Sequence, residues 1–183
     1  MELIKLDPVF AWVLRSSLAA LFAAAAIHKV RDPRAFLRTF SEYKILPRLL
    51  TAPAAIILVV AELSIAVGLL VDPDGYPIEL AAVSLLLVYT LAIGVNLLRG
   101  RRNIDCGCLG PANRQTLSGA LVFRNALLTM GAAAICLPIS ERSLQFVDGI
   151  SLVGGFLTLV LLFNAINILA AQTWHWPEPE SVS

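Results

Sequence analysis

Charge is scarce in this chain. Only 15% of its 183 residues are Asp, Glu, Lys or Arg, against roughly 25% in an ordinary soluble domain, while 58% are hydrophobic and the mean hydropathy is +0.79. That combination excludes a soluble globular protein. An excess of one sign is also missing. Fourteen basic residues face thirteen acidic ones for a net +1, so nothing marks nucleic acid as a partner. Cysteine is rare too, and three of them cannot build a framework of paired disulfides. Neither a phosphate-cradling glycine motif nor a haem-attachment motif occurs. The few cysteines and histidines fall short of the four well-spaced ligands of a structural zinc site, so no metal is expected.

What the sequence does have is long apolar runs. Five of them, approximately Val9–Ile27, Ala52–Val71, Ile78–Leu98, Leu117–Ile139 and Gly149–Ala171, reach the roughly 17–25 residues that cross a hydrocarbon core. Backbone polar groups in lipid must be satisfied within the segment, and none of the runs alternates like a barrel strand, so each is expected to be helical. The expected fold is all-α, a polytopic membrane helical bundle of about five transmembrane helices. Residues 1–173 form a single domain and 174–183 a short tail, with Trp174 and Trp176 as an interfacial anchor. Small residues at Ala23–Ala26, Gly131–Ala134 and Gly154-Gly155 are places where helices can approach closely.

Charge placement orients the bundle. Lys29, Arg31, Arg34, Arg38, Lys44 and Arg48 fall in the first connection and Arg99, Arg101, Arg102 and Arg114 in the third, whereas the opposite side holds Lys5 and Arg142. The positive-inside rule puts the first group in the cytoplasm, the N-terminus in the periplasm and the C-terminus in the cytoplasm of a bacterial inner-membrane protein. The first run has some features of a signal peptide, and the same asymmetry argues for keeping it as a helix.

Two constellations carry chemistry. The first is Asp105-Cys106-Gly107-Cys108-Leu109-Gly110-Pro111, where glycine and proline interrupt helical backbone. A Cys-x-Cys disulfide closes a very small ring and is expected to be easily reduced, which suits an exchanging pair. Cys106 and Cys108 are therefore the candidate redox pair, thiol–disulfide exchange being the activity they would support; two inert packed thiols are the bland alternative. Cys136 belongs to the far end of its helix and is expected to be plain packing. His28 sits on the predicted side of the pair, either as a base for thiolate formation or as an ordinary interfacial residue. No cofactor is written in the sequence, and a quinone is left open. The second constellation is the ions inside the apolar runs, Arg15, Glu62 and Arg124. Unpaired charge there is costly, so an Arg15–Glu62 or Glu62–Arg124 pair is expected, with Asn96, Asn125, Asn164 and Asn167 completing a polar interior. Such a cluster serves as a clamp between helices or as a proton-handling or substrate site.

Taken together these residues resemble a known family, the methylamine utilisation MauE proteins within the wider MauE/DoxX-like group. The similarity runs through His28-Lys29 with Asp32 and Phe36, Tyr43 to Leu46-Pro47, Glu62 with Gly68, Asn96 with Arg99-Gly100-Arg101, Cys106-Gly107-Cys108-Leu109-Gly110 and Arg124-Asn125. Leu109 stands where the family usually has phenylalanine. The resemblance implies processing, export or disulfide formation of the small (beta) subunit of methylamine dehydrogenase, in methylamine degradation, together with the thioredoxin-like protein MauD. The rival expectations are a general thiol-redox membrane protein of the same group, a small-solute carrier built on Arg15, Glu62 and Arg124, and a passive membrane scaffold.

Overall fold

A computed structural model describes residues 5–72, 75–101, 104 and 117–172. Cys106, Cys108 and the tail from 174 lie outside the described residues. Helix α1 is Pro8–Arg31, α2 Pro33–Glu42, α3 Arg48–Val71, α4 Tyr76–Leu98, α5 Gly119–Ala134 and α6 Phe146–Gln172. The start of α1 follows from local chemistry. Asp7 accepts the Val9 N–H at 2.9 Å, and Pro8 occupies a position where a missing N–H costs nothing.

Four of the five expected spans are helices long enough to cross a bilayer: α1, α3, α4 and α6 have 24, 24, 23 and 27 residues. At 1.5 Å per residue these measure about 35–40 Å, against a hydrocarbon core of about 30 Å. The fifth, expected over Leu117–Ile139, is shorter. Helix α5 has 16 residues, about 24 Å. Pro138 explains its early end, since the residue before a proline is pushed out of the helical region. The last turns tighten, with Cys136 N–H to Ala133 O at 3.2 Å and Leu137 N–H to Ala134 O at 3.1 Å, and the chain then pairs with the N-terminal segment through Leu6 N–H to Pro138 O at 2.8 Å and Ser140 N–H to Leu6 O at 2.9 Å.

Helix α1 is the hub, packed against α2, α3, α5 and α6, while α4 lies on α3 and α5. Consecutive long helices run antiparallel. One end of the bundle therefore gathers the starts of α1, α4 and α6 with the ends of α3 and α5; there Arg142 ties the start of α1 to that of α6, bridging Asp7 at 3.3 Å and Asp148 at 3.1 Å. The opposite end carries α2. The main core interleaves Leu18, Ala19 and Phe22 of α1 with Ile65, Ala66 and Leu69 of α3, Ala82 and Leu86 of α4, and Ala132 and Ile135. Small residues set the spacing at particular points: Ala25, Ala26 and Ala132 are buried, and a Cβ on Gly155 of α6 would lie 3.0 Å from Val13 of α1. Gly154, its neighbour, faces open space. Large apolar residues point outward from the long helices, among them Leu49, 88% exposed, and Leu161, 69% exposed. That is the surface a lipid-facing helix presents and a soluble one does not.

Candidate functional site

Among the described residues three polar clusters are buried in the bundle, and none pairs the ions as the apolar-run positions led us to expect. Arg15 of α1 forms an ion pair with Glu79 of α4, and its second terminal nitrogen donates to the Asp72 carbonyl at 3.3 Å. The Cys136 thiol donates to Ala132 O of α5 at 3.7 Å. Glu62 of α3 pairs with Lys29 of α1, and the Tyr89 hydroxyl of α4 donates to the same carboxylate oxygen. Arg124 of α5 donates to the Asn167 side chain of α6 at 2.7 Å and to the Asn125 side chain at 3.5 Å, with its guanidinium 5.5 Å from the Phe163 ring centre.

The expected Arg15–Glu62 and Glu62–Arg124 pairs are thus replaced: Glu62–Arg124 because α3 and α5 do not pack against each other, and Arg15–Glu62 because of axial offset. Arg15 stands level with Asp72, the residue that ends α3. Glu62 lies about 15 Å deeper along that helix, beyond an arginine's reach. Lys29, about 21 Å further along α1 than Arg15, comes to its level instead. Asn96 is buried as expected but donates to Ala92 O of its own helix at 2.9 Å, and Asn164 is exposed whereas Asn167 is buried. His28 is half-buried, and its carbonyl receives the Asp32 N–H at 3.3 Å. Glu79, Lys29 and Tyr89 went unassigned in the sequence because each sits near a helix end or is an ordinary interfacial type.

The Lys29 cluster adjoins a cavity of about 320 Å³ between α2, α3 and α4. Lys29 and Tyr89 form its polar end, and Phe36, Phe40, Tyr43 and Ala92 are among its walls. The Lys29 ammonium lies 5.3 Å from the Phe36 ring centre, 5.2 Å from that of Tyr89, and donates to the Tyr89 hydroxyl at 3.1 Å. Below it, Ile93, Ile104, Leu117 and Leu121 form a second core that Tyr43 packs against. Leu117 N–H bonds Ile104 O at 3.1 Å, so the stretch bearing Cys106 and Cys108 leaves from and returns to one buried root. Ile93 and Tyr43 belong both to that root and to the cavity wall.

These features define a multi-pass helical membrane protein with buried interhelical ion pairs and an apolar cavity beside the root of the cysteine-bearing stretch. The chain belongs to the family described as methylamine utilisation protein MauE, whose model matches residues 7–138. Curated relatives named methylamine utilization protein MauE include one from Paracoccus versutus, 40% identical over 185 residues, covering 100% of this chain and 98% of the relative. Another, from Paracoccus denitrificans, is 38% identical over 174 residues, covering 92% and 93%. A third, from Methylorubrum extorquens, is 35% identical over 169 residues, covering 91% of each. No solved structure matches.

Proposed function

We propose that this protein serves methylamine utilisation as an inner-membrane factor for processing, export or disulfide formation of the methylamine dehydrogenase small subunit, exchanging electrons with the thioredoxin-like protein MauD through Cys106 and Cys108. The observation that carries the reading is similarity over nearly the whole chain to proteins named for methylamine utilisation, joined to the Cys-Gly-Cys motif within the matched span. The stretch that bears the motif starts from Ile104, at the end of the bundle that carries α2. Arg31, Arg34, Arg38 and Arg99 are exposed at that end, which the positive-inside rule assigns to the cytoplasm, with the N-terminus periplasmic. The family resemblance implies that the client matures in the periplasm, so the exchange requires either re-entry of the cysteine stretch or passage of reducing equivalents across the bilayer.

The test is a Cys106→Ser/Cys108→Ser double variant in a methylamine-grown host. Membrane levels of the variant are expected to match the parent while methylamine dehydrogenase activity and small-subunit abundance fall to background. Normal dehydrogenase activity in cells holding only the double variant would sink the proposal.

A further inference from the structure

The cavity between α2, α3 and α4 has a wall, an entrance and a polar end that together select a ligand. Its wall is aromatic out of proportion to the chain. Two of the three tyrosines, Tyr43 and Tyr89, line it beside Phe36 and Phe40, and aromatic faces favour a flat ring in offset or edge contact. Its entrance faces lipid, because Ile45, Leu46 and Val88 are at once lining residues and exposed apolar side chains. A polar solute from water would lose its hydration to a wall with few hydrogen-bonding groups.

The polar end is close to neutral. The Lys29 charge is met by Glu62, whose carboxylate also receives the Tyr89 hydroxyl, so an anionic headgroup would meet a carboxylate with no unspent cation. What the end can offer is a donor. An ammonium has three N–H bonds, and Lys29 spends two of them on Glu62 and Tyr89. The third suits a carbonyl oxygen. At about 320 Å³ the space falls at the lower end of the roughly 300–1,000 Å³ of small-molecule sites, enough for a substituted ring with the start of its tail.

We infer that this cavity binds a neutral, ring-bearing lipid with carbonyl oxygens, of the quinone class, its ring among Phe36, Phe40, Tyr43 and Tyr89 and one carbonyl accepting from Lys29. The inference stands on the cavity and is independent of the thiol exchange proposed above.

The experiment titrates the purified full-length protein, in phospholipid nanodiscs free of quinone, with a decyl-tailed benzoquinone by calorimetry. Decanol and decanoic acid serve as tail-only controls. Saturable binding is expected, weakened about tenfold, or about 1.4 kcal/mol, by Ala92→Phe, which fills the cavity, and not competed by either control. Ala54→Leu, a smaller intrusion from the α3 wall, gives the same readout should Ala92→Phe fail to fold, and thermal unfolding confirms which variant is native. Absence of saturable binding to the parent protein, equal binding of decanol or decanoic acid, or unchanged affinity in a natively folded cavity variant would each overturn the inference.

Discussion

Lys29 sits in a basic connection when read along the chain, yet in space its ammonium is buried against Glu62, Tyr89 and two aromatic rings. Removing one partner of such a pair strands a charge away from water, at a typical cost of about 3–5 kcal/mol, whereas replacing both by apolar groups is far milder. Lys29→Met and Glu62→Leu are each expected to lower stability by that order, and the double variant to recover most of the loss. A thermal-unfolding double-mutant cycle checks this, and additive losses would mean that the two residues do not act as a pair. The presence of buried ions at Arg15, Glu62 and Arg124 was legible because charge inside an apolar run has nowhere else to go. Their partners were not, because pairing depends on which helices pack together and on how far each slides along its neighbours. Glu79 stands near the first turn of α4, where an interfacial carboxylate is unremarkable, and only the bundle brings it to Arg15.

Among the elements, α2 is the one on which the cavity depends and the one the apolar pattern passed over. Ten residues of mixed polarity give no long hydrophobic run. The local signals were nevertheless present. Asp32 and Pro33 are a cap and a first-turn proline, and Phe36 and Phe40 are spaced to share one helical face, their ring centres 5.8 Å apart. Asp32 serves two helices at once. Its N–H closes α1 on His28 O, and its side chain accepts the Ala35 N–H at 3.0 Å to open α2. Asp32→Ala is expected to cost α2 about 1 kcal/mol. Hydrogen exchange should then show the amides of 34–42 opening about fivefold faster with the long helices unchanged; a uniform change across the bundle would mean that α2 is not a separable unit. The long spans were readable because lipid permits little but a helix of that length. The shortening of α5 reflects Pro138, a local interruption that total apolarity does not register.

At the scale of the whole molecule, an antiparallel bundle pairs its buried ions across helices and sets an apolar cavity at the basic end, beside the residues from which the cysteine-bearing stretch leaves. The family assignment covers nearly the whole chain, and the proposed function rests on thiol exchange at Cys106 and Cys108. Single Cys106→Ser and Cys108→Ser variants, expressed with a thioredoxin-like partner and quenched in acid, test the claim most directly. Removing one cysteine leaves the other unable to resolve an exchange intermediate. At least one variant is expected to accumulate a reducible adduct running above this 19.7 kDa chain by the mass of the partner, absent from the double-serine protein. No adduct from either single variant, with dehydrogenase maturing normally in the same cells, would contradict the account.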